Sequence, residues 1–106
     1  MSLNLDPQKI YERLVKTGQE WSRLNQIATL LEENKKTHTS QLKLDFIDKG
    51  KSVSEATERA QGSTSMCDYI ERMTMARKDA NDARVAYDAA KAWFEGMSSL
   101  AATTRQ

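Results

Sequence analysis

The sequence predicts an all-α fold: a long, coiled-coil-like helical hairpin with a short connecting helix, completed by a second copy into a dimeric bundle. Three observations point there. One proline and four glycines in 106 residues leave long stretches free of helix breakers. From Met66 onward apolar residues recur with a heptad period over five repeats. Start and stop signals divide the remainder into one long and one short helical segment.

The first helix is expected over about 7–49. Asp6 before Pro7 has the form of an N-cap followed by proline at the first helical position, where a missing N–H costs nothing. Gly50 supplies the stop. A continuous helix of that span would be roughly 60 Å long. With Leu14 at position a, the a row holds Leu14, Trp21, Ala28 and Leu42, and the d row holds Ile10, Leu24 and Leu31. Beyond Leu31 the seam decays: Lys35 falls at a, His38 and Asp45 at d, while Leu44, Phe46 and Ile47 shift the apolar face sideways. THTS at 37–40 is a weak helix former, so a kink, register change or break is expected there.

Ser52-Val53-Ser54-Glu55 has the capping-box pattern and opens a short helix to about residue 61. GSTS at 62–65 combines a terminating glycine with capping hydroxyls and reads as a turn. The last helix follows over about 65–97. Its a row is Met66, Met73, Ala80, Tyr87, Phe94 and Ala101, and its d row is Tyr69, Ala76, Ala83, Ala90 and Met97. The alanines of the d row permit close approach of a partner helix. Gly96 is expected to loosen the last turns, and residues 102–106 to be disordered. The whole forms one helical domain, with residues 10–31 antiparallel to the later part of the 66–97 seam.

A two-helix hairpin buries little. Trp21, Ile27, Leu30, Leu44, Ile47, Ile70 and Trp93 are the candidate core and dimer anchors, and those outside the seams need a further surface to cover them. A homodimer in a four-helix arrangement follows as an expectation.

Composition narrows the chemistry. Sixteen basic and fifteen acidic residues leave a formal charge of +1, so no global field selects nucleic acid, an anionic membrane or an acidic substrate. A single cysteine, Cys67, allows no internal disulfide and fits a reducing, cytoplasmic setting. No apolar run has the length of a membrane span or a signal peptide. His38 and Cys67 stand in no recognised metal or nucleophile spacing, and neither glycine-rich phosphate loops nor Glu-x-x-His pairs occur. Glu32, Glu33, Asp79, Asp82 and Asp88 read as solvated acids. No catalytic residue, metal or cofactor is expected, and the chain is read as a binding protein rather than an enzyme.

Arg77, Arg84 and Lys91 share heptad position e and form a basic stripe beside the seam, with Arg72 and Lys78 close by. On the matching row of the first helix, Tyr11, Gly18, Asn25, Glu32 and Thr39, only Glu32 is an acid. These five basic residues are therefore the candidate edge for a protein partner or, alternatively, for nucleic-acid phosphates.

The segment ARKDANDARVAYDAAKAWFE, residues 76–95, resembles the C-terminal helix of small uncharacterised α-helical proteins of tailed bacteriophages and prophages. The resemblance covers that helix and not the N-terminal half or the connector. It implies an accessory role in DNA metabolism or against a host protein, in the host-cell cytoplasm, and brings no catalytic residues with it.

Overall fold

The computed structural model describes the backbone of residues 6–104 and the side chains of residues 6–100. Every element among them is a helix: α1 (Pro7–Glu33), α2 (Lys35–Asp48), α3 (Val53–Gly62) and α4 (Thr64–Thr104). α3 is the short helix that connects α2 to the long α4. Contacts divide the chain into two compact units, one made of residues up to Asn25 with those from Asp79 onward, the other of Gln26–Lys78.

Local chemistry sets most boundaries. The Asp6 carboxylate accepts the Gln8 N–H at 3.0 Å, and the Asp6 carbonyl accepts that of Ile10 at 3.1 Å, so α1 starts where its cap is. At the end of α2, Gly50 takes φ +90°, the Gly50 N–H donates to Ile47 O at 2.9 Å and the Lys51 N–H to Phe46 O at 3.1 Å. This is the Schellman closure, which a residue with a Cβ enters only under strain.

The expected single helix over 7–49 is interrupted, at Asn34 rather than within 37–40. Asn34 sits at φ −87°, ψ 1°, in the bridge region between α1 and α2. It still donates to Leu30 O and accepts from the His38 N–H, both at 3.0 Å, so one residue departs from helical geometry while the hydrogen bonds on either side persist. The Asn34 side chain makes no capping hydrogen bond there, so the irregularity falls on a residue of low helix propensity without a side-chain cap. The 37–40 segment stays helical because tertiary contacts hold it: His38 stacks on Tyr69, and the Thr39 hydroxyl, which also bonds Lys35 O of its own helix at 2.9 Å, reaches Met66 Sδ of α4 at 3.4 Å.

Ser52 caps α3 by accepting the Glu55 N–H at 3.2 Å, which is half of the expected capping box. The Glu55 carboxylate turns outward, to Arg59 at 3.0 Å and Lys51 at 4.0 Å. Between α3 and α4 lies Ser63 alone. Its hydroxyl donates to Ala60 O at 2.8 Å and accepts the Met66 N–H at 3.1 Å, closing one helix and opening the next with a single side chain. A turn of four residues is thereby compressed to one.

α4 runs through Gly96 and on to Thr104, so residues 102–104, expected to be disordered, are helical; residues 105–106 lie outside the described residues. The glycine has no neighbour within 4 Å of where a Cβ would be, and a single glycine lowers helix propensity without breaking the run.

In the unit made by the chain ends, α1 and α4 pair antiparallel. Tyr11 meets Phe94 with ring centroids 6.2 Å apart, and Trp21 stacks on Tyr87 at 5.4 Å. A Cβ on Gly18 would stand 3.3 Å from the Tyr87 ring, so the missing side chain is what lets that ring lie against α1. Ile10, Ala80, Ala83 and Ala90 are buried here, whereas Phe94, a seam residue, remains 36% exposed. In the Gln26–Lys78 unit, α2 packs on α3, and the buried residues are Ala28, Ala56, Ala60, Met66 and Tyr69. Six of the nine buried apolar residues of the two units are alanines, and no larger side chain falls below 2% exposure. The cores are narrow seams.

Candidate functional site

The basic stripe does not form one free edge. Arg77 and Lys78 close the central unit on α4 with Arg72 a turn and a half earlier, while Arg84 and Lys91 belong to the unit of the chain ends. Arg77 is occupied: its Nε donates to Glu32 Oε2 at 2.9 Å and one terminal nitrogen to Glu32 Oε1 at 2.6 Å, with Thr29 Oγ1 at 3.4 Å. This planar two-point pairing is the arrangement a guanidinium makes best. It joins the e position of α4 to the one acid on the e row of α1. Arg72 lies over the Tyr69 ring, 5.5 Å from its centroid. Arg84 approaches Asp88 of its own helix at 3.9 Å, with both side chains more than half exposed, and Lys91 is exposed. Arg84 and Lys91 are the stripe members still directed to solvent.

The Arg77 hydrogen bonds hold the Glu32 carboxyl below its usual value near 4.5, and the same pairing raises the guanidinium. Glu20 is lowered likewise by its bond to Arg23 at 2.8 Å, one turn along α1. A carboxyl whose folded value lies below the unfolded one stabilises the fold fully above the unfolded value and loses that contribution as pH falls through the folded value. The urea midpoint should therefore drop between about pH 6 and about pH 3, and Glu32→Gln should show a smaller drop over the same interval. Identical pH profiles for the two chains would mean that Arg77 and Glu32 do not pair in solution.

The structure gathers a second cluster that the spacing of residues did not reveal. His38 on α2 stacks on Tyr69 of α4 with centroids 4.5 Å apart and planes inclined by 14°. Its Nε2 is 3.3 Å from Ser65 Oγ, and the Tyr69 hydroxyl donates to the Leu31 carbonyl at 2.5 Å. An open depression of about 680 Å³ is lined by His38, Ser65, Asp68, Tyr69, Glu71 and Arg72. The faint signal was in the register, since His38 and Tyr69 each fall on the d row of their own helix. Chemically the cluster is a clasp: an imidazole and a guanidinium engage one buried phenol ring, which ties α1, α2 and α4 together. Among the described residues no group of three or more His, Cys, Asp or Glu side chains could hold a metal ion, and Cys67 is a free, exposed thiol.

The apolar anchors take two places. Trp21 is half-buried against Tyr87, whereas Ile27, Leu30, Leu44, Ile47, Ile70 and Trp93 are all exposed. Tyr11, Val15, Val53, Met75, Val85, Phe94 and Leu100 join them as exposed large apolar residues. No described helix is long and apolar enough to cross a membrane. The candidate site is thus a set of apolar helix faces rather than a pocket with convergent polar groups. No known protein family, curated protein or solved structure matches this chain.

Proposed function

We propose that this chain is a non-enzymatic helical interaction protein, which works by presenting exposed apolar helix faces to protein partners, a second copy among them. One observation carries the reading: among the described residues, thirteen large apolar side chains are exposed, while the buried set is mostly alanine. Single exposed apolar residues are ordinary on protein surfaces, but an excess over the core marks surface meant to be covered. In the central unit the exposed group is Ile27 and Leu30 on α1, Leu44 and Ile47 on α2, Val53 on α3, and Ile70 and Met75 on α4. The likeness of residues 76–95 to small phage proteins supports an accessory role in DNA metabolism or against a host protein, in the cytoplasm of the host cell.

The test is cross-linking in the cells that make the protein, comparing wild type with Leu30→Gln and Leu44→Gln. A specific cross-linked protein that disappears in these variants, with helix content unchanged, is the expected result. Unchanged cross-links, or none from the central unit, would overturn the reading. The alternative, direct nucleic-acid binding, loses Arg77 to Glu32 and retains Arg84 and Lys91. Labelled single-stranded and duplex DNA at low salt should accordingly show no binding tighter than about micromolar. Tighter, salt-sensitive binding that Arg84→Ala and Lys91→Ala remove would establish nucleic acid as the ligand instead.

A further inference from the structure

Within the unit formed by the chain ends, α4 carries a second apolar face beside its seam. Ala89, Ala92, Trp93, Gly96 and Leu100 follow one another at intervals of three, one, three and four residues, the spacing of one helix face. All five are exposed, Trp93 at 48% and Leu100 at 52%. Around them lies a shallow groove of about 380 Å³ lined by Ala92, Trp93, Gly96, Met97 and Leu100. Val85, 67% exposed, continues the face toward the N-terminus of the helix.

We infer that this face is covered by the same face of a second copy, the two α4 helices running antiparallel about a two-fold axis that passes between Phe94 and Glu95. The inference rests on the interaction reading above and assigns it a partner and a register. The face is self-complementary. In that one register Trp93 meets the partner's Gly96, Met97 meets the partner's Ala92, and Leu100 meets the partner's Ala89. Each large side chain thus faces a small one, and the two-fold axis repeats every contact with the roles exchanged. A foreign partner requires only that its own surface fit this face; a face that fits its own reversal is what an isologous interface demands. A parallel copy would set Trp93 against the partner's Trp93 and leave a void where Gly96 met the partner's Gly96. The small residues let the two helices approach at the short end of the usual range of about 8–10 Å.

The area is sufficient. The half-exposed indole, Leu100, Val85 and the three small residues present on the order of 500 Å² per protomer, and two such faces reach the roughly 1,000 Å² at which specific interfaces begin. The interface is small and nearly all apolar, so its affinity depends on the indole seated over the glycine.

Sedimentation equilibrium on the full chain tests the pairing through an exchange of the two key residues. Wild type should dimerise at about micromolar concentration. Trp93→Ala removes the knob, and Gly96→Trp fills the hole with a second indole, so each alone should weaken dimerisation about 100-fold or more. The double variant Trp93→Ala with Gly96→Trp restores large against small in the same register, and should recover to within about tenfold of wild type, a coupling that independent sites do not give. Both positions are exposed, and nothing stands within 4 Å of a Cβ on Gly96, so the monomer should keep its helix content by circular dichroism. A wild-type chain monomeric to roughly 100 µM overturns the second-copy inference while leaving the cross-linking test of the central unit intact. A dimer indifferent to the single changes, or one the exchange fails to rescue, overturns this face and this register.

Discussion

Tyr69→Ala is expected to cost about 3–5 kcal/mol, the range for truncating a buried aromatic side chain, and to melt the Gln26–Lys78 unit before the rest of the chain. Tyr69 is 5% exposed and the largest buried side chain among the described residues. Its ring carries His38 on one contact and Arg72 on another, and its hydroxyl reaches across to the Leu31 carbonyl. Removing it takes away a ring that packs against α2 and a hydroxyl that reaches α1. Tyr69→Phe isolates the hydroxyl: it should cost about 1 kcal/mol, the net worth of one hydrogen bond. Urea titration followed by circular dichroism measures both, and hydrogen exchange locates the loss in residues 26–78. Equal stability of Tyr69→Ala and Tyr69→Phe would show that the ring carries none of the packing assigned to it.

Ala28→Leu is expected to destabilise by about 1–3 kcal/mol through overpacking rather than through a cavity. Ala28 is fully buried, at an a position of α1. Its neighbour Thr29 and nearby Glu32 are both within reach of Arg77, so α1 and α4 are close at this level. A leucine there must push the helices apart and lengthen or break the Arg77–Glu32 pair. Leucine at exposed Ser22 of the same helix serves as the control and should stay within about 0.5 kcal/mol of wild type. The measurement is again the urea midpoint. If Ala28→Leu were as mild as Ser22→Leu, the alanines of the seam would be incidental rather than the reason the helices approach.

These two substitutions mark the extremes of a core whose pattern was legible and whose partners were not. The heptad rows of α4 foretold most of the residues that face inward: Met66, Tyr69, Ala80, Ala83 and Ala90 are buried, and Met73, Ala76, Tyr87 and Met97 half-buried, whereas Phe94 on the same a row stays exposed. The α1 rows did the same through Ile10, Leu14, Trp21, Leu24, Ala28 and Leu31. Helical geometry repeats every few residues, so a face can be read from spacing alone. The Asp6 cap, the Gly50 stop and the Ser52 cap were legible for the same reason, each being settled within a few residues of chain.

Contacts across the hairpin required the fold. The stripe of Arg77, Arg84 and Lys91 looked uniform in sequence. Only the antiparallel alignment of α1 with α4 brings Glu32 opposite Arg77 and so separates an engaged arginine from the solvent-directed Arg84 and Lys91. The same alignment puts His38, at a poor core position of its own helix, against Tyr69, and that contact keeps 37–40 helical while the irregular residue falls at Asn34.

The sequence alone determined that this protein is helical, that Asp6, Gly50 and Ser52 cap or stop its helices, and which faces of α1 and α4 turn inward, because those properties depend on neighbours within one or two turns. Tertiary structure decided which charges are already paired, that one serine is enough to separate α3 from α4, and which large apolar residues stay exposed after the seams have closed. Those outcomes depend on residues dozens of positions apart meeting in one register, and the energy that selects the register is summed over the whole seam rather than written in any segment of it.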